Sequence, residues 1–312
     1  MTTRRSTATS HGTNREAFTP IDWTLFVSLA LIWGSSFLFI AIGLDAFHPG
    51  LVTLLRVGLG AGFLAMLPRT RAVRIDPEDR LRVAVLAVIW VAIPFTLFPI
   101  AQQWIDSAVA GMLNGSTPIF TALLATLLFR SSPGPLQIAG LGVGFVGILA
   151  IALPSAGDGT TAAIGVLLVV VATVGYAISL NMVPPLQQKY GSLPLMARIL
   201  SMATLMVTPF GLVGLGESTF AWSSFLAVAA IGVLGTGLAF ILMGTLAGSV
   251  GATRASFITY LIPVVALVLG VVFRDEVISP IAVAGVVLVI VGALLASRRE
   301  TRRAAAMDQA AA

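Results

Sequence analysis

The sequence predicts an all-α polytopic membrane protein, with ten transmembrane helices arranged as two inverted five-helix repeats around a central cavity. Composition is the first reason. Of 312 residues, 57% are hydrophobic and only 10% are charged, and the mean hydropathy is +1.00. Soluble domains carry far more charge than this. The second reason is the rhythm of the chain. Short polar loops divide it into apolar segments near 23–43, 50–67, 82–102, 107–128, 136–153, 162–182, 193–213, 223–245, 252–273 and 279–297, and a bilayer span takes roughly 20 such residues. The third is a constant offset of 145 residues between matching positions. Pro49 pairs with Pro194, Phe95 with Phe240, Ala110 with Ala255, Asn114 with Thr259, Pro118 with Pro263, Gly140 with Gly285 and Gly147 with Gly292. A spacing that holds without gaps points to an internal repeat.

The elements follow in order. Residues 1–21 are rich in Ser, Thr and Arg and read as a disordered cytoplasmic tail; they lack the pattern of a signal peptide. Residues 22–154 form the first five-helix repeat, 155–298 the second, and 299–312 a cytoplasmic tail. With the N-terminus inside, the inner segments collect Arg69, Arg71, Arg74, Arg80, Arg82, Arg130, Lys189, Arg254 and the tail arginines. The outer loops hold Arg274 alone, against Asp45, Asp106, Asp158, Glu217, Asp275 and Glu276. Positive charge stays on the cytoplasmic side, so both termini are expected there, in the inner (plasma) membrane of a bacterium. Five helices per repeat is an odd number, so the halves must enter the bilayer from opposite sides, as in many secondary transporters. Trp23, Trp104 and Trp222 lie near segment ends, where an interfacial belt places them.

Net charge is +5 and the sequence pI 10.7. Because the arginines cluster between apolar runs, no nucleic-acid partner is expected. There are no cysteines, which removes disulfides and thiolate metal sites. Only His11 and His48 exist, outside the spans, and no Asp or Glu lies mid-membrane. Intramembrane enzymes generally need such groups, so no catalytic role, metal or cofactor is expected. Gly142 to Gly147 satisfies G-x-G-x-x-G, but inside an apolar helix with no preceding strand.

The fourth segment carries Asn114, Ser116, Thr117 and Thr121 among Gly111, Gly115 and Pro118. Such a face is costly against lipid and should look into protein or a watery cavity. Glycines four apart, Gly58 with Gly62, Gly140 with Gly144 and Gly244 with Gly248, read as helix-packing faces. Pro94 and Pro99 in the third segment, with Pro118 and Pro263, introduce kinks that can serve as hinges. Gly235 and Gly237, beside Thr236, either pack or let the eighth helix bend around a cavity. Arg56 and Arg198 lie more than a turn inside their spans; snorkelling, helix locking and substrate contact are the readings open for Arg56, and snorkelling is favoured for Arg198.

Trp33-Gly34-Ser35-Ser36-Phe37 in the first helix, Arg56 in the second, the paired Ala…Pro patterns and Glu276 after the ninth resemble the EamA-type branch of the drug/metabolite transporter superfamily. The resemblance covers about residues 22 to 297. It implies a central cavity lined from both repeats, small-molecule substrates, and export of amino acids or related metabolites by alternating access. Within the superfamily the chain is most similar to the aromatic amino acid exporters (YddG-like); drug or organic-cation efflux is the alternative. The resemblance leads us to expect a bulky substrate among Trp33, Phe37, Trp90, Phe95, Tyr176, Phe240 and Tyr260, with Asn114, Ser35 and Thr259 on its ammonium and carboxylate. Thr117, Pro118 and Pro263 complete the expected binding set. Arg56, Pro94, Pro99, Gly235, Gly237 and Glu276 are expected in structural or gating roles, in a monomer. One position departs from the family pattern: where the fourth helix often ends in an acid, this chain has Ser131.

Overall fold

The computed structural model describes residues 18–71, 73–128, 134–157 and 159–310; the tail up to residue 17 and Ser131 lie outside them. Prolines open many of the helices, where the missing N–H costs nothing and φ is already helical. Pro20, Pro49, Pro77, Pro135 and Pro280 all sit at such starts. Thr19 and Asp22 add a reciprocal capping box at the first.

Ten apolar helices result. They are α1 (Pro20–Leu44), α2 (Pro49–Ala65), α3 (Pro77–Ala101), α4 (Ser107–Leu127), α5 (Pro135–Ala156), α6 (Thr160–Met182), α7 (Ser192–Leu215), α8 (Trp222–Val250), α9 (Ser256–Arg274) and α10, apolar over Pro280–Ala296. Eight are long enough to cross a bilayer by themselves, and α2 and α10 are shorter. The backbone of α10 continues as helix to Ala310. The described chain is thus an all-helical, multi-pass membrane protein. Ten crossings put the starts of α1, α3 and α7 on one face with the end of α10. We call this the terminal face and the other the distal face.

Several helices are interrupted near mid-depth. α1 breaks at Ser35, and α4 breaks at Gly115 and Ser116. α9 begins as a 3-10 turn over Ser256–Tyr260 and becomes α-helical only from Ile262. α3 widens into a π turn at Ala87–Ala92 and α8 at Ile231–Leu238. The breaks of α4 and α9, and the π turns of α3 and α8, recur at the 145-residue offset. Their local causes differ. In α3, Pro94 lacks the N–H that would close the preceding turn. In α8 there is no proline, and the Thr236 hydroxyl donates to the carbonyl five residues back, Ile231. The break in α1 has no counterpart, since α6 is continuous through Leu180.

Lipid is as apolar as leucine, so helices hold together where small residues let backbones approach. α5 and α10 meet this way. A Cβ on Gly140 would come within 2.7 Å of the Gly292 carbonyl, and one on Gly147 within 2.7 Å of the Gly285 carbonyl. Gly50, Gly211 and Gly214 do the same between α2 and α7. The other expected glycine pairs do not. A Cβ on Gly62, Gly244 or Gly248 would meet nothing within 4 Å, and one on Gly58 only a methyl at 3.7 Å. Spacing alone does not say which way a glycine faces.

Candidate functional site

The helix breaks surround a cavity of about 190 Å³ lined from both halves of the chain. Its walls are aromatic. From the first half come Trp33, Phe37, Trp90, Phe95 and Phe98; Tyr176 and Phe240 come from the second. The rings meet mostly edge to face, the arrangement their quadrupoles favour. Centroids lie 6.4 Å apart for Trp33 and Phe240, 6.2 Å for Trp90 and Phe240, and 5.5 Å for Phe37 and Phe98. Phe98 stacks on Tyr176 at 5.9 Å. Phe37, Phe98 and Tyr176 thus form one continuous group of rings in the wall. Trp33 is locked in place: its Nε1–H donates to the Gly235 carbonyl at 3.1 Å. The π turn of α8 supplies that carbonyl, as such turns aim backbone groups sideways.

Of the residues expected to bind substrate, Trp33, Phe37, Trp90, Phe95, Asn114, Thr117, Tyr176, Phe240 and Thr259 reach this cavity. Four do not. Ser35 sits at the break of α1 with its hydroxyl on the Ile32 carbonyl, and Ser36 lines the cavity in its place. Ser36 stands three residues from Trp33 and next to Phe37, on the face those two share, and Ser35 lies off that face. Tyr260 stacks on Phe257 at 5.8 Å, turned away by the 3-10 geometry. Pro118 and Pro263 restart their helices, and Pro263 packs under Gly115. Phe98, Leu180 and Ile262 complete the wall. Each lies three or four residues from an expected member (Phe95, Tyr176, Thr259), which is the one signal that distinguishes it among abundant apolar residues.

The expected structural set divides too. Arg56 and Gly235 line the cavity itself. Gly237 packs against the Phe63 ring, and Pro94 against Gly175. Pro99 is buried within α3. Glu276 leaves the membrane region and returns to cap α4: its carboxylate accepts from the Ser107 N–H at 2.9 Å, the Ser107 hydroxyl at 2.6 Å and the Ala108 N–H at 2.8 Å. A carboxylate on free N–H groups at a helix start is favoured by hydrogen bonding and by the helix dipole. Asp275 supplies the left-handed turn, at φ 53°, and Gly270 leaves the space a Cβ would take from the carboxylate.

The terminal face has its own clasp. Lys189 Nζ lies 2.8 Å from Asp76, 3.1 Å from Glu78 and 2.7 Å from Asp79. Tyr190 donates its hydroxyl to Asp79 at 2.7 Å. These acids hold the ammonium well above the ordinary lysine range, and the ammonium holds the Asp76 carboxyl below the ordinary carboxylate range. Arg198 donates to the Val73 carbonyl at 3.3 Å on the same side. A second cavity, about 290 Å³, opens at the distal ends of α4, α5 and α10, where Asp106, Pro154 and Ser279 line it without any aromatic ring.

Comparison with known proteins agrees with this architecture. The model of the EamA-like transporter family matches twice, over residues 23–153 and 163–298. An uncharacterized transporter of Bacillus subtilis, YdfC, is 26% identical over 84% of this chain and 86% of its own. A probable terminal-alkyne amino-acid exporter of Streptantibioticus cattleyicolor is 26% identical over 90% of this chain and 94% of its own. The inner membrane transporter YedA of Escherichia coli, also uncharacterized, is 27% identical over 84% and 85%. One crystal structure shares the fold with a TM-score of 0.61 at 19% identity, covering 90% of this chain and 98% of the other. Two matches of one family model, together spanning most of the sequence, establish that this chain belongs to the EamA-like transporter family.

Proposed function

We propose that the chain is a secondary transporter that exports amino acids, chiefly those with aromatic or neutral side chains, across a bacterial inner membrane by alternating access. The observation that carries this is the aromatic cavity at the level of the helix breaks, with the Asn114 carboxamide oxygen buried against it and unpartnered. A mostly apolar pocket with a few convergent polar groups is the usual form of a small-molecule site. The relative named as an amino-acid exporter supports the substrate class. The proposed moving units are residues 22–154 and 155–298, working as a monomer without a cofactor and without catalysis. Arg69, Arg71, Arg74, Arg80, Arg82 and Lys189 on the terminal face, against Arg274 on the distal face, support cytoplasmic termini.

Among the described residues no carboxylate lines the cavity, which favours movement down the substrate gradient over proton coupling. The test is uptake of labelled Phe, Trp, Thr and Met, and of one organic cation, into liposomes holding purified protein, with and without a pH gradient. Amino acid uptake that ignores the gradient is the expected result. Cation uptake with no amino acid uptake would replace this reading with drug efflux.

A further inference from the structure

Two polar groups face the cavity, a cation without an acid and an acceptor without a donor among the described residues. Arg56 is buried, at 7% exposure, and lines the cavity. Its Nε donates to Thr236 Oγ1 at a long 3.4 Å, and its guanidinium carbon stands 3.8 Å from the centroid of the Phe95 ring. Among the described residues no acid pairs with it. Buried guanidinium groups ordinarily have such a partner. The second group is Asn114, whose Oδ1 is buried and accepts nothing. The serine and threonine hydroxyls of the wall have already spent their protons on their own helices: Ser36 donates to Ile32, Thr117 to Asn114 and Thr259 to Ser256.

We infer that Arg56 is the anchor for a substrate carboxylate, with Asn114 accepting from a donor at the substrate's polar end. This reading rests on the central cavity being the transport site. The cavity then selects small aromatic or apolar molecules that bear a free carboxylate. The chemistry fits both ways. The guanidinium fork matches the two oxygens of a carboxylate, and the Phe95 ring beneath keeps its plane in position. The same unbalanced positive charge turns organic cations away, because like charges repel strongly where water is scarce.

The test needs no altered protein at first. Binding to wild-type protein in liposomes is measured for phenylalanine, phenylalaninamide, 3-phenylpropionate and tetraphenylphosphonium. Loss of the carboxylate in phenylalaninamide is expected to weaken binding roughly tenfold or more, the scale of a charge-assisted hydrogen bond. Loss of the amine should cost less, and tetraphenylphosphonium should not bind. Arg56→Gln should abolish the advantage of phenylalanine over its amide, while Arg56→Lys keeps part of the difference. Equal binding of phenylalanine and its amide to wild type would overturn the anchor and leave amino acid transport standing. Binding of 3-phenylpropionate without any amino acid would keep the anchor and overturn the amino acid reading. Binding of the cation alone would overturn both.

Discussion

The 145-residue offset gives α4 and α9 two matched sets of positions, one toward each membrane face, with different residues in each. Toward the distal face, Gly111 and Gly115 of α4 lie so close to Ala266 and Pro263 of α9 that neither glycine has room for a Cβ. At the equivalent positions toward the terminal face, Ser256 and Tyr260 stand where the glycines would be, and Thr121 and Pro118 stand where Ala266 and Pro263 would be. In the small version the backbone of α4 sits against side chains of α9; the segments of the bulky version make no comparable contact. Residue size at these matched positions thus accompanies the difference between the two crossings. The same sequence pattern, read in two orientations, gives one close-packed crossing and one that does not close.

The sharpest way to break this contrast is to enlarge the small crossing. Gly115→Leu drives a side chain into the Pro263 ring, and overpacking of this kind costs about 1–3 kcal/mol. That is roughly a 5- to 150-fold loss of the state closed toward the distal face. Because the chain has no native cysteine, a single Ser36→Cys label reports the change. A membrane-impermeant thiol reagent should reach it from the distal side much faster when Gly115→Leu is present. The converse change, Tyr260→Gly, relieves the bulky crossing. It should slow labelling of the same cysteine from the terminal side about fivefold, and no change would show that size there is irrelevant.

Glu276→Gln tests the distal seal more gently. It keeps the shape but removes the charge from three hydrogen bonds at Ser107 and Ala108, a loss of about 1–2 kcal/mol that thermal unfolding in detergent should register. The smallest effect is expected at the terminal clasp. Lys189→Met should raise terminal-side labelling of Ser36→Cys less than twofold. Its dependence on pH follows from the two shifts. Asp76 is depressed below its usual 3.8, so its contribution is present above that value and fades as pH falls past it. Lys189 is raised above its usual 10.5, so its contribution persists below that value. Labelling of the protein carrying Lys189 should therefore be flat between about pH 5 and pH 9.

Much of the site was legible in the sequence because chemistry that is costly in lipid must face inward. Asn114, Thr117 and Trp33 announce themselves on that ground, and Arg56 does too, as a charge inside a span. The role of Arg56 was not legible, because whether a buried charge has a partner is a property of three dimensions. Ser35 in place of Ser36 is a different kind of miss: helical spacing from Trp33 and Phe37 already puts Ser36 on their face and Ser35 off it. Tyr260 was displaced by the 3-10 turn, which changes the spacing of side chains around the axis. Proline revealed the irregularity of α3, whereas α8 reaches the same π turn through Thr236 with no proline to mark it.

The glycine contact between α5 and α10 carries a last consequence. Gly140 meets Gly292, and Gly285 meets Gly147; shifting each residue of the first pair by the 145-residue offset yields the second. The contact is self-complementary, the same patch used on both sides, which is how a two-fold homodimer is built. A chain of half this length would carry the whole of that patch, and two copies inserted in opposite senses could join through it without any linker.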